Sequence, residues 1–253
     1  MKNIKNIIYL LSLAISLYGC DKSNDLTSSP NNNNGIAGST ARFALGENHL
    51  YTLNSKSMNV YDLTKPDKPN FVSNVFLGDG IETIFPYKDM LFFGTNTGML
   101  IYDNKTPSKP TFISTFVHAY ACDPVVVQDQ YAYVTIRSGT ECRGGRENRL
   151  DVIDISSPQH PKQVSSILMS NPHGLGVDGN RLFVCEGEYG LKVFDISIPT
   201  KPVQIEELPN AQSYDVIPNK NILVVTGKYG ISQYDYSLSQ KLVLLSKIQI
   251  HEK

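Results

Sequence analysis

One phrase recurs five times along the chain: an apolar run closing on Asp, then a short polar stretch carrying two prolines. It reads Val60-Tyr61-Asp62-Leu63-Thr64 with Pro66 and Pro69, then Leu100-Ile101-Tyr102-Asp103 with Pro107 and Pro110. It returns as Val152-Ile153-Asp154-Ile155-Ser156 with Pro158 and Pro161, and as Val193-Phe194-Asp195-Ile196-Ser197 with Pro199 and Pro202. The last copy, Gln233-Tyr234-Asp235-Tyr236-Ser237, lacks the prolines. The aspartates lie 41, 51, 41 and 40 residues apart. A fixed period of this size means one supersecondary unit used repeatedly.

Within a period the pattern is β. In the fourth, short apolar runs at 173–177, 181–185, 191–196 and 203–208 are separated by turn signals. Asp178-Gly179 between two runs predicts a type I′ hairpin, which needs positive φ. The Pro-x-x-Pro stretch ends the third strand, because proline lacks the N–H a ladder needs. No segment of the repeats holds a sustained 3.6-residue apolar period, so no helix is expected there. Four strands every 40–45 residues point to a β-propeller. Residues 41–250 hold five units of 42, so the expected fold is all-β, a five-bladed propeller of four-stranded antiparallel blades. The phase of the strands builds each blade from contiguous sequence. The first and fifth blades must then pack directly on each other.

The Leu-x-Val-apolar-Asp-apolar-Ser-x-Pro-x-x-Pro phrase resembles the LVIVD repeat of bacterial surface and secreted proteins. The resemblance spans about residues 41–250 and is best in blades three and four; blade two departs at Asn104-Lys105 and blade five lacks the proline turn. It implies a binding or scaffold module and no particular reaction.

Residues 1–19 read as an address. Lys2 and Lys5 precede an apolar run at 7–17, too short to span a bilayer but of signal-peptide size. The run closes on Leu17-Tyr18-Gly19-Cys20, which resembles the bacterial lipobox, with Tyr18 a departure. The resemblance implies lipidation of Cys20 and a stable anchor of several acyl chains. Residues 20–40 then form an Asn/Ser-rich tether with too little apolar surface to fold. Residues 41–253 hold the propeller. Lipobox and tether together are similar to envelope lipoproteins of the Bacteroidetes type, which implies a lipid-anchored place in the bacterial cell envelope, facing the periplasm or the surface. Membrane attachment through Cys20, palmitate included, is therefore expected.

Charge and composition narrow the partners. With 23 basic and 24 acidic residues the chain carries no basic surplus, which argues against nucleic acid. No close-spaced metal-ligand pair, nucleophile elbow or phosphate-binding loop occurs, so neither a metal nor a cofactor is expected. In a propeller the connections between blades and the turns between second and third strands share one face. Glu82, Asp123, His173 and Asp215 stand at inner-strand starts and would ring the channel mouth there. Glu82, Asp123 and Asp215 could supply the carboxylate pair of a carbohydrate hydrolase. Repetition favours the plainer reading, polar groups capping backbone, and no residue is assigned as catalytic. Cys122 and Cys142 fall on the same face, and export favours their pairing. A disulfide closing a loop of about 20 residues contributes about 3 kcal/mol in the chain-entropy model. Cys185 reads as a small buried apolar residue. The insertion at 138–149 breaks the repeat symmetry and carries Arg143 and Arg146, suited to an anionic or protein partner. Tyr189 and Tyr229 occupy equivalent turns and could stack on sugars or pack on a partner. The expected function is display: a rigid module that binds a protein or glycan.

Overall fold

The structure is a computed structural model describing residues 38–117, 124–138, 147–237 and 241–250. The expected fold is present as five four-stranded antiparallel sheets, each contiguous in sequence. The first blade holds β1 (Phe43–Leu45), β2 (His49–Leu53), β3 (Ser57–Asp62) and β4 (Asn70–Phe76). The second holds β5 (Ile81–Tyr87), β6 (Met90–Thr95), β7 (Gly98–Asp103) and β8 (Thr111–Val117). The third comprises β9 (Val125–Gln128), β10 (Tyr131–Ile136), β11 (Arg149–Asp154) and β12 (Lys162–Leu168). The fourth comprises β13 (Leu175–Asp178), β14 (Arg181–Cys185), β15 (Leu191–Asp195) and β16 (Val203–Leu208). The fifth comprises β17 (Ser213–Asn219), β18 (Ile222–Gly227), β19 (Gly230–Asp235) and β20 (Val243–Gln249). Inner strands of successive blades meet: β1 with β5, β5 with β9, β9 with β13 and β13 with β17.

The repeated phrase is a turn with a mechanism. In every blade the closing aspartate accepts the N–H two residues on, Thr64, Lys105, Ser156, Ser197 and Ser237, at 2.7–2.8 Å. These are Asx-turns. The residue after each aspartate donates its N–H to the turn between the first two strands, for example Ile155 to Gln130 and Ile196 to Asn180, both at 2.9 Å. In blades one to four the first proline follows a carbonyl that accepts from three residues on, as in Lys68 N to Lys65 O at 2.9 Å and Lys201 N to Ile198 O at 2.8 Å. That is a β-turn with Pro at its second position, where its fixed φ fits. The second proline opens the outer strand. Each outer strand then carries a bulge, at Val72, Ile113, Val164, Ile205 and Leu245 by register.

The hairpin at Asp178 differs from expectation. Asp178 pairs with Arg181, so the loop is Gly179-Asn180, and Gly179 alone has positive φ, 55°. A type I′ turn needs both, and only the fifth blade meets that, at Lys220 and Asn221.

The core is stacked between blades. One buried apolar cluster fills the junction of blades one and two, and others fill two–three, three–four and four–five. Tyr51, Phe92, Tyr133 and Phe183 occupy one equivalent position on the face turned to the next blade, all within 1% of full burial. Met58, Met99, Leu150 and Leu191 occupy another, equally buried. The junction of blades five and one breaks the series. There Val224 is half-buried, Ile231 is 37% exposed and Ile248 is 65% exposed. On the opposing side, Phe43 is 58% exposed where Ile84, Val125, Leu175 and Val216 are buried. The expected direct packing of first blade on fifth is thus corrected: among the described residues no apolar cluster joins them. Gln233 gives the chemical reason, standing where Val60, Ile101, Val152 and Val193 are buried.

Candidate functional site

Antiparallel order puts the blade-to-blade connections and the second-to-third-strand turns at one end of the ring. Of the residues expected there, Glu82, His173, Tyr189, Asp215 and Tyr229 are described. Asp123, Arg143, Arg146, Cys122 and Cys142 lie outside the described residues, as does Cys20. Cys185, the free cysteine among the described residues, is buried as expected, and burial pushes its thiol up.

Glu82 sits half-buried at a bulge of β5, between Ile81 and Thr83. The matching bulge of β17 is at Tyr214, so Tyr214, and not Asp215, is the counterpart of Glu82 and His173. Asp215 stands one residue deeper. Its carboxylate faces the chain's own lead-in: Thr40 Oγ1 donates to Oδ2 at 2.6 Å and Ser39 Oγ to Oδ1 at 3.2 Å. The Ser39 hydroxyl also accepts from Leu175 N at 2.7 Å, and Ala41 O accepts from Ile84 N at 3.1 Å. Residues 38–41 therefore cross the channel mouth, touching blades two, four and five. Glycine makes room: a Cβ at Gly38 or Gly174 would lie 2.2 Å from an Asp215 oxygen. Burial raises the Asp215 pKa above the usual carboxylate range, against the pull of its donors. A carboxylate so engaged is a latch for the segment over it.

His173 lies beside Asp215's neighbour, its ring centroid 5.3 Å from that of Tyr214. Burial, then the nearby charge of Arg137, lowers its pKa to about 4, so the imidazole is neutral at pH 7. Its carbonyl accepts the Thr135 hydroxyl at 2.6 Å, tying blade three to four.

Two fully buried carboxylates went unread in the sequence. Glu186 accepts from Ser170 N at 2.9 Å and pairs ionically with Lys192 Nζ at 2.8 Å. Asp151 takes Arg149 Nε at 3.0–3.1 Å on both oxygens and the Ser166 hydroxyl at 2.7 Å. Both pairs brace the base of second-to-third-strand turns.

Tyr189 and Tyr229 project from those turns, 50% and 48% exposed. Each precedes a glycine at positive φ, Gly190 at 102° and Gly230 at 121°. A Cβ there would meet the outer strand's carbonyl, Leu208 O at 2.1 Å or Ile248 O at 2.0 Å. Lys228 and Lys247 stand 5.7 and 5.8 Å from the Tyr229 ring centre. No group of metal-ligating side chains occurs among the described residues.

Among the described residues, clefts open at the opposite end. One of about 220 Å³ between blades one and two is lined by His49, Tyr51, Lys88, Asn104 and Lys105 among others. Its floor explains the departure at Asn104, whose amide exchanges hydrogen bonds with Tyr51 Oη at 2.9 and 3.1 Å. The other, about 420 Å³, lies between blades three and four and is lined by Tyr133 and Ile196 at the equivalent places.

The repeat geometry agrees with the comparison of families. Residues 119–168 and 173–208 match the LVIVD repeat. That match falls on the third and fourth blades of the β-propeller. Comparison with curated proteins finds no match. Among solved structures the chain is similar to a protein of unknown function from Desulfotomaculum acetoxidans, with TM-score 0.64 and 12% identity over 87% of this chain and 70% of that one. It is similar also to apo AztD of Citrobacter koseri, with TM-score 0.59 and 14% identity over 81% and 60%. The periplasmic gluconolactonase PpgL of Pseudomonas aeruginosa gives 0.60 and 11% over 80% and 68%. Such identities establish a shared fold alone. The chain spans about 60% of AztD's length and 70% of the Desulfotomaculum protein's.

Proposed function

We propose that this chain is a cell-envelope lipoprotein, anchored through Cys20, whose propeller binds a protein or glycan partner at its connection-bearing end. The observation that carries the reading is the pair of half-exposed tyrosines, Tyr189 and Tyr229, fixed on glycine-closed turns at equivalent places on that end. Rigid aromatics presented at low entropic cost suit sugar stacking and protein contact. Arg143 and Arg146, on a loop pinned by a Cys122–Cys142 disulfide, would add charge-assisted contacts. The hydrolase reading is weakened by Asp215, which serves residues 39 and 40 in place of a substrate. The test is a panel of immobilised envelope oligosaccharides and envelope proteins. Tyr189→Ala with Tyr229→Ala should weaken capture at least tenfold with no product released. Product formation that Glu82→Gln abolishes would establish the hydrolase, and unchanged capture would remove the tyrosines from the site. Cys20→Ala should abolish incorporation of labelled palmitate.

A further inference from the structure

One hydroxyl of the repeat is out of step with its surroundings. At each of the four apolar junctions, the third residue of one blade's second strand meets the residue that follows the next blade's closing aspartate. Tyr51 meets Asn104, and the two exchange hydrogen bonds at 2.9 and 3.1 Å. Phe92 meets Ile155 and Phe183 meets Tyr236, and neither phenylalanine has a polar atom to satisfy. Tyr133 meets Ile196. Its side chain is buried, 1% exposed, yet its hydroxyl has no hydrogen-bond partner among the described residues. Burial, then Tyr131 and Asp129, raise its pKa, so at pH 7 the hydroxyl holds a proton to donate. A buried hydroxyl left idle costs stability that the phenylalanine of blades two and four avoids.

Tyr133 lines the cleft of about 420 Å³ between blades three and four, a volume suited to a small ligand. The walls come from three turns at one end of the ring: Gln128, Asp129 and Gln130 between β9 and β10, Asn180 between β13 and β14, and Ser197 after β15. Gln128 commits its amide nitrogen to Gly179 O at 2.6 Å, which ties two of these turns and leaves its carbonyl oxygen as an acceptor. Of the lining residues only Asp129 carries charge. Amides and hydroxyls both donate and accept, as a ligand bearing several hydroxyls requires, and no cation lines the cleft to hold a phosphate or carboxylate. We propose that this cleft binds a neutral sugar unit, with the Tyr133 hydroxyl donating to one sugar oxygen and the Gln130 and Asn180 amides bonding its neighbours. Tyr189 and Tyr229 stand at the other end of the ring, so this site is independent of what the connection-bearing end binds.

The test is saturation-transfer NMR on the purified full chain, followed by titration of whichever probe responds. The probes are the methyl glycosides of glucose, galactose, mannose and N-acetylglucosamine, with ethanolamine and inorganic phosphate as charged comparators. The expected result is saturation of at least one glycoside and of neither charged probe. Tyr133→Phe should raise that glycoside's Kd by about tenfold or more, and Asn180→Ala should raise it as well. Tyr133→Phe installs the residue that blades two and four carry, so it should melt at or above wild type. Tyr189→Ala with Tyr229→Ala should leave the glycoside's Kd unchanged. No response to any glycoside, or a Kd indifferent to Tyr133→Phe, overturns the proposal and leaves the hydroxyl to water. A response to ethanolamine alone overturns it in favour of a cation held by Asp129. A Kd that rises in the double tyrosine variant but not in Tyr133→Phe also overturns it, placing the sugar at the other end.

Discussion

His173 couples the connection-bearing end to pH. Its pKa falls from 6.5 in the unfolded chain to about 4 in the fold, because burial and Arg137 disfavour the imidazolium. The unfolded chain takes up a proton as pH drops through 6.5, and the folded chain does not until about 4. This contribution is fully present above pH 6.5 and is lost between 6.5 and 4. Asp215 works in the opposite sense, since its raised pKa lets the fold accept a proton early. Urea titrations of wild type and His173→Gln at pH 7, 5.5 and 4.5 isolate the imidazole's effect. The wild type should lose more stability on acidification than the variant; equal losses would show the imidazole uninvolved. Gly174 offers a steric counterpart. An alanine methyl there would lie 2.2 Å from Asp215 Oδ1 and 2.9 Å from Tyr214 O. Gly174→Ala should destabilise by about 1–3 kcal/mol. Asp215→Ala in the same chain should recover part of that, a coupling that a double-mutant cycle reads directly.

At the scale of the element, the repeated unit is held by its turn. Asp62, Asp154 and Asp195 have pKa values lowered first by the backbone N–H two residues on, and Asp235 first by the Ser237 hydroxyl. A carboxylate depressed in the fold stabilises above its unfolded pKa near 3.8, and that stabilisation is lost as pH falls through the folded value. The turns at these four aspartates should therefore loosen together below about pH 4. Asp154→Asn retains an acceptor for Ser156 N and should melt near wild type at pH 7 with a weaker acid dependence. Asp154→Ala removes the acceptor and should melt lower at both. Thermal scans at pH 7 and 3 check this, and indistinguishable Asn and Ala variants would show the turn held by its prolines alone.

For the whole molecule, stability should be graded around the ring. Blades two, three and four are buried on both faces, whereas one and five each bury one. Repeat arrays are stabilised chiefly by neighbour interfaces, so a blade short of one opens more easily. Amide exchange of a dilute sample should be fastest in β1 and in β18–β20 and slowest in β10 and β14. Equal protection in all five blades would mean that the fifth junction is sealed.

Much of this was legible along the chain. The recurring aspartates, the proline turns and the burial of Cys185 follow from local rules: a short polar side chain that accepts its own backbone, a ring that cannot donate, a strand with two apolar faces. The strands at 181–185 and 203–208 coincide with β14 and β16. Gln233 stood in the repeat as a sign that one face differs, but a glutamine among valines says nothing of which neighbour is missing. Only the tertiary structure decided how the ring behaves at its ends. The contacts that decide it join residues far apart in sequence, Ser39 with Asp215 across 176 positions. Local propensity favours the same strands in every blade, whether or not a neighbour covers them; covering is a property of the assembled ring.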